Sequence, residues 1–258
     1  MNPIVLIPAR MAAARLPGKP LADIHGEPMI VQVWRRAIEA DVGRVVVAAG
    51  EAEIAEAVIA AGGEAVVTRP SHPSGTDRIH EALNAVDPDG RHDLIVNVQG
   101  DLPVLEAKTV RAGINALVRV PDAAMGTVAC AIREQADLME TSVNKVVVAW
   151  EPDGLFGRAL YFSKWPVPWG EGEVFHHIGL YTYRRAALDR FVALPPSPLE
   201  RRERLEQLRA LEAGMRIEVG RVETVPLGVD TPAQLEQARR LLAPAARPGG
   251  TASSETHA

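Results

Sequence analysis

Ile4–Ile7, Val45–Ala49, Ala65–Val67 and Leu94–Val98 are wholly apolar runs, with no polar residue at alternate positions. A run of this kind suits a strand covered on both faces, which is the environment of a parallel sheet. Between the first two, Ile30, Val33, Trp34, Ala37 and Ile38 recur at helical spacing, with Pro28 placed for a first turn. Glu51–Ala61 and Asp77–Val86 read as further helices, and Gly62-Gly63 supplies a stop for the former. Strand and helix in alternation predict right-handed crossovers and an α/β fold with a mostly parallel, Rossmann-like sheet flanked by helices.

The second half is more mixed. Met125–Ile132, Lys145–Trp150, Arg158–Phe162 and Ile178–Tyr183 read as strands, and Arg185–Leu194 and Pro198–Ala213 as helices. Thr231-Pro232 opens a last helix, with Thr or Asp at the cap and Pro in the first turn. The expectation is one α/β domain over residues 1–243, carrying a smaller antiparallel lobe inserted in or appended to it. Beyond Leu242 the chain turns to Pro, Gly, Ala and Ser without apolar period, which predicts a disordered tail over 244–258.

A formal charge of −5 over 258 residues argues against a general nucleic-acid binder, which needs a basic face. No apolar run reaches the roughly 18 residues of a membrane span, and Ile4–Ala9 runs into Arg10 without the features of a signal peptide. The lone Cys130 lies in an apolar context and reads as an inert buried thiol. A cytoplasmic protein that touches neither membrane nor nucleic acid is expected.

In an open α/β sheet, ligands gather beyond the carboxyl ends of the strands. After the first strand come Arg10, Arg15 and Lys19, with Pro17 and Gly18 between them. A Walker loop fails here, because Ala13 replaces its first Gly and Pro20 its Ser or Thr. A side-chain clamp for a triphosphate and a solvated basic turn both satisfy the spacing. The fourth strand ends in Asn97-Val98-Gln99-Gly100-Asp101, where a carboxylate beside a Gly is a natural Mg²⁺ ligand. The alternative is an Asp that caps the next helix. Asp230 is a second candidate carboxylate, although an N-cap would explain it equally. Ser74-Gly75-Thr76-Asp77-Arg78 can hold a base or phosphate, or merely cap a helix, and His72 reads as a loop residue.

Taken together, these segments resemble the cytidylyltransferases that activate 3-deoxy-D-manno-octulosonate (Kdo), also called CMP-Kdo synthetases. IPARMAAARLPGKPLADIHGEPMI is similar to the family's opening PAR-x-x-S-x-R-L-P-G-K-P-L, and SGTDR and NVQGD to its next signatures. GRALYFSK, HHIGLYTYRR, PPSPLE, LEQLRAL and GVDTP resemble later ones, so the likeness runs from Ile4 to about Leu242. The resemblance implies a nucleotide-diphospho-sugar transferase fold whose lobe serves sugar binding and dimerisation. The implied reaction is CTP plus Kdo giving CMP-Kdo and pyrophosphate, by direct attack of the anomeric hydroxyl on the α-phosphorus, for lipopolysaccharide biosynthesis. It further implies Arg10, Arg15 and Lys19 at the triphosphate and Asp101 and Asp230 as Mg²⁺ carboxylates. Ala9, Arg10, Ser74, Arg78 and Gln99 would hold the nucleotide, and His177, Tyr181, Glu206 and Gln207 the sugar. Lys145 and Lys164 are candidates for a phosphate or the sugar carboxylate, and the partner state implied is a homodimer.

Several positions depart from the family pattern. Ala13 stands for Ser, Leu102 for an acidic residue, Ala49-Gly50 for Thr-Asp or Cys-Asp, and Lys164 for Arg. Ser142-Val143-Asn144-Lys145 deviates from Asn-x-Val-Lys. These differences bear on sugar preference, so a related acidic sugar such as 8-amino-Kdo is an alternative. A catalytically silent nucleotide-binding module is the alternative of another class.

Overall fold

A computed structural model describes residues 1–13 and 15–243; the tail expected over 244–258 lies outside the described residues. The first strand, β1 (Pro3–Ala9), leads through a short 3-10 turn (Lys19–Leu21) to a small hairpin, β2 (Asp23–Ile24) and β3 (Glu27–Pro28). Helix α1 (Met29–Glu39), β4 (Arg44–Ala49), α2 (Ala52–Ala60) and β5 (Glu64–Val67) follow. Then come α3 (Gly75–Val86), β6 (Leu94–Asn97), α4 (Ala107–Val118), β7 (Met125–Ala131) and the short α5 (Gln135–Met139). The remainder is β8 (Lys145–Trp150), β9 (Phe156–Ser163), β10 (Phe175–Arg184), α6 (Arg185–Ala193), α7 (Pro198–Glu203), α8 (Leu208–Glu212), β11 (Ile217–Val222) and α9 (Pro232–Leu241).

The main sheet has nine strands in the order β5-β4-β1-β6-β10-β7-β11-β9-β8. Its β5-β4-β1-β6 half is parallel, as the apolar runs predict. Beyond β6 the pairing alternates: β10 is antiparallel to β6 and β7, β11 is parallel to β7, and β9 is antiparallel to β11 and β8. The expected mostly parallel sheet is therefore a mixed one. The antiparallel strands continue the same sheet, and β8 also pairs with the start of β10 at Phe175 and His176. Strands β10, β7, β11, β9 and β8 thereby close a ring at the end of the open sheet.

Both faces of the parallel half are covered, which is why its strands lack alternation. Val5 and Ile7 pack with Ile30 and Val33 of α1, Ile54 and Val58 of α2 and Val110 of α4. Ile4 and Leu6 face the other way, onto Ile79 and Leu83 of α3, Leu188 and Phe191 of α6 and Leu208 of α8. Fully burying side chains of this size stabilises by about 1.5–3 kcal/mol each before entropy is counted. This packing holds the strand ends, and so the loops that leave them, in fixed positions.

Two local expectations change. Pro28 is the residue that caps α1, not a member of its first turn. The helix expected over Pro198–Ala213 is broken, because Arg204 takes a left-handed φ of 57° and stops α7.

Candidate active site

The parallel strands β1, β4, β5 and β6 present their carboxyl ends on one side of the sheet, and the polar loops gather there. After β1, Gly18 adopts φ 69° and turns the chain so that Lys19 points back across the strand ends. The Lys19 Nζ donates to Asp101 Oδ2 at 2.8 Å and to Asp230 Oδ1 at 2.9 Å. Arg15 donates to the other oxygen of Asp230 at 3.0 Å. The Val229 amide donates to the Asp101 carbonyl at 2.9 Å, tying the two carboxylate-bearing segments together. Gly100 is required beside them, since a Cβ there would lie 2.6 Å from the Pro8 carbonyl oxygen.

Neither carboxylate is a helix cap. Thr231 caps α9 by accepting from the Gln234 amide, and Glu106 precedes α4. Both Asp101 and Asp230 are thus left to the cluster. Burial alone would lower the Lys19 pKa, but Asp101 and Asp230 outweigh it and hold the ammonium above its ordinary value. The donor set fits a single hard cation. Two carboxylate oxygens already converge on one positive centre, and no group of three His, Cys, Asp or Glu suited to a metal occurs among the described residues. Mg²⁺ characteristically takes one or two carboxylates and leaves its other positions to phosphate and water.

Two spaces meet at this cluster. A cavity of about 350 Å³ is lined by Ala9, Arg10, Lys19, Ser74, Arg78, Gln99 and Asp101. A groove of about 1260 Å³ is lined by Arg15, Leu102, His177 and Asp230, again with Gln99 and Asp101. The structure therefore brings the expected triphosphate, nucleotide and metal residues to one place.

The wall of the smaller cavity is a loop fastened to α3. Arg78, 2% exposed, donates to the Thr68 hydroxyl at 2.6 Å and to the carbonyls of Arg69 and Pro70. Ser74 caps α3, accepting from the Asp77 amide and donating to the Asp77 carboxylate at 2.7 Å. Glu81 accepts from the Arg69 amide and guanidinium and pairs with His72 Nε2 at 2.6 Å. The Arg69 hydrogen bond, chiefly, draws the Glu81 pKa down to about 2. His72, read from sequence as a loop residue, is nearly buried and lines the cavity.

The residues expected at the sugar lie on β10 and around the break between α7 and α8. The His177 ring meets Phe162 edge-on at 4.7 Å and Tyr181 at 5.5 Å. Gln207, immediately before α8, donates to His177 Nδ1 at 3.4 Å. Glu206 accepts from the Thr76 hydroxyl at 2.7 Å. Burial raises the Glu206 pKa against the opposing Thr76 hydrogen bond, raises that of Tyr181 well above its ordinary value, and lowers His177 to about 3. Because Arg204 ends α7, Glu206 and Gln207 do not lie on one continuous helix from Pro198, and Gln207 is buried. Tyr181, Glu206 and Gln207 line neither of the two spaces, whereas His177 lines the groove.

The two lysines fare differently. Lys145 is fully buried, and its Nζ donates to the carbonyls of Glu140 and Lys164. It therefore joins the start of β8 to the end of β9 rather than reaching the carboxylate cluster. Lys164 is fixed through its backbone, whose amide donates to Glu203. Leu102 is 8% exposed and packs in the apolar core. Sequence reasoning missed Thr127, which is fully buried and donates to the Leu180 carbonyl at 2.7 Å. A hydroxyl in the apolar run of β7 was the available signal.

A cytidylyltransferase family model matches residues 4–217. The 3-deoxy-manno-octulosonate cytidylyltransferase of Parvibaculum lavamentivorans is 63% identical over 242 residues, covering 94% of this chain and 93% of that protein. The enzyme of the same name from Rhodospirillum centenum is 61% identical over 243 residues, covering 94% of each. A solved structure of CMP:2-keto-3-deoxy-manno-octonic acid synthetase in complex with CTP superposes with a TM-score of 0.86 at 40% identity, covering 94% of this chain and 99% of that one. The mixed sheet, the strand-end cluster and these likenesses agree, and the chain belongs to the 3-deoxy-manno-octulosonate cytidylyltransferase family.

Proposed function

We propose that this chain transfers the cytidylyl group of CTP to Kdo, giving CMP-Kdo and pyrophosphate. The observation that carries the reading is the Lys19 bridge between Asp101 and Asp230, set where the two spaces meet. The smaller cavity takes the nucleotide, with Arg10, Arg15 and Lys19 compensating the triphosphate. The groove takes the acidic sugar beside His177, the one of the four sugar candidates that lines it. The anomeric oxygen forms a bond to the α-phosphorus, the bond from that phosphorus to the bridging oxygen breaks, pyrophosphate leaves, and the hydroxyl proton passes to solvent.

Asp101 and Asp230 would hold Mg²⁺, which when bound supplies positive charge to the reacting phosphate. Lys19 turns from the carboxylates to the phosphates as nucleotide enters and stabilises the charge that develops on the leaving group. Arg78 and Glu81 keep the Thr68–Ser74 loop in place around the nucleotide. The departures at Leu102 and Lys164 leave the Lys19–Asp101–Asp230 triad whole, which favours a working enzyme over a silent module.

The enzyme acts in the cytoplasm as a homodimer. Leu160 on β9 and Trp165 and Trp169 just beyond it are 48%, 62% and 101% exposed, an apolar strip that a second copy would cover. Pyrophosphate release from CTP with Mg²⁺ tests the reading against Kdo, 8-amino-Kdo and sialic acid, with UTP and ATP as controls. Release with CTP and Kdo is expected. Turnover confined to another sugar would overturn the substrate, and silence with every pair would overturn the enzyme.

A further inference from the structure

Thr127 on β7 carries one hydroxyl proton and has several partners. Its Oγ1 lies 2.7 Å from the Leu180 carbonyl oxygen, 3.3 Å from that of Ile178 and 3.0 Å from His177 Nε2. The Leu180 contact is the shortest of the three, and the Gln207 nitrogen at Nδ1 can only donate, so both place the single Thr127 proton on a carbonyl. The Thr127 oxygen must then accept, and His177 Nε2 must carry a hydrogen and donate it. A neutral imidazole has one protonated nitrogen, which leaves Nδ1 as a bare acceptor. The Gln207 amide satisfies this demand from the other side, donating to Nδ1 at the long distance of 3.4 Å.

The carbonyls that take the Thr127 proton owe their availability to a register shift. The pairing of β10 with β7 slips between Ile178 and Tyr181, where Tyr181 stands opposite Thr127. A slip of this kind leaves backbone groups outside the ladder and redirects side chains, and such features recur beside active sites. Thr127, His177 and Thr182 are all buried here, so an exchange of partners with water is not available to rescue the wrong tautomer.

We propose that Thr127 is a positioning residue that locks His177 as the Nε2–H tautomer, so that Nδ1 accepts a hydroxyl of the sugar in place of the Gln207 amide. The inference rests on the reading of His177 as a sugar-side residue, and it adds which nitrogen meets the sugar and what fixes it. The long Gln207 contact is the one that substrate displaces, while the shorter Thr127 contact stays. The burial that pushes the His177 pKa to about 3 keeps the ring neutral throughout, so it orients a hydroxyl and does not take up a proton.

Nitrogen-15 spectra of the full chain with labelled histidine read the tautomer directly, with His177→Gln used to assign the signals. Wild type should show Nε2 protonated and Nδ1 bare. Thr127→Val should mix the tautomers and raise the KM for Kdo about tenfold or more, the size of a lost hydrogen bond in a buried site. The KM for CTP should stay within about twofold, since the nucleotide cavity is untouched, and Thr127→Ser should restore both tautomer and KM. An Nδ1–H tautomer in wild type would overturn the proposal, whether or not the Val variant folds. Equal rises in both KM values with an unchanged tautomer would overturn it too. If wild type shows the Nε2–H tautomer but does not turn over Kdo, the substrate reading fails while the Thr127 lock is supported.

Discussion

The two sides of the site solve opposite problems. On the nucleotide side the side chains are charged, half-open to solvent and compensated by one another, as where Lys19 and Arg15 share Asp101 and Asp230. On the sugar side a buried, uncharged chain of hydrogen bonds runs through Thr127, His177 and Gln207. On the proposed reading, the first arrangement would bind a polyanion by exchanging internal ion pairs for external ones. The second would bind a polyol by geometry, because in a dry site an unmatched hydroxyl or amide is costly. On that reading the enzyme would meet its two substrates through different physics, and substitutions should expose the difference.

The largest effect belongs to the charged side. Asp101→Asn should lower kcat about a thousandfold, the scale of losing a preorganised charge contact in the transition state, with the thermal unfolding midpoint unchanged. Near-normal turnover at saturating Mg²⁺ would remove Asp101 from the chemistry. Lys19→Ala should lower kcat/KM for CTP about a hundredfold and weaken binding of the CMP-sugar product much less, as judged by calorimetry. Equal losses in both would make Lys19 a brace for the loop.

The neutral side should show itself in stability. His177 has a folded pKa near 3 against an ordinary value of 6.5, so between these values the unfolded chain binds more protons than the folded one. Stability is therefore at its full value above pH 6.5 and is lost as pH falls. About 2 kcal/mol should disappear between pH 7 and 5 on this account. Urea unfolding at the two pH values, wild type against His177→Gln, isolates this share, and an identical pH slope in the variant would contradict it. The smallest effect concerns the turn that delivers Glu206 and Gln207. Arg204 holds a left-handed backbone, so Arg204→Gly should raise stability by about 0.5–1 kcal/mol in the same experiment, with the KM for Kdo unchanged.

The parts of the fold that local pattern can encode were the parts legible in the sequence. Strand β4 was found to within one residue and the core of β1 was found, because helices cover both their faces. Strand β11 was missed because Glu218 and Arg221 make it look polar. In the fold Glu218 is buried and paired with Arg216 at 2.6 Å. Helix α4 was missed in part because Gly113 weakens its pattern, and that Gly is needed since a Cβ would meet Leu180 at 2.8 Å. The break at Arg204 is a backbone choice that no side-chain period announces.

The site divides in the same way. Arg10, Arg15 and Lys19 are visible as a basic loop, and Asp101 as an acid past a strand end. Their conjunction with Asp230, 211 positions from Lys19, is a property of topology. Asp230 was a candidate by its residue type alone, and family resemblance paired it with Asp101. A hydroxyl within an apolar strand was the one local mark of Thr127, and its contacts depend on a register shift in a strand far along the chain.

The central claim is that Asp101 and Asp230, from opposite ends of the chain, work as one unit with a shared cation. A double-mutant cycle on kcat/KM with CTP and Kdo tests it most directly, using Asp101→Asn, Asp230→Asn and the pair together. Residues that act as a unit are strongly non-additive, so the double variant should be scarcely slower than the worse single one. Losses that multiply would show two independent contributions and contradict the shared site.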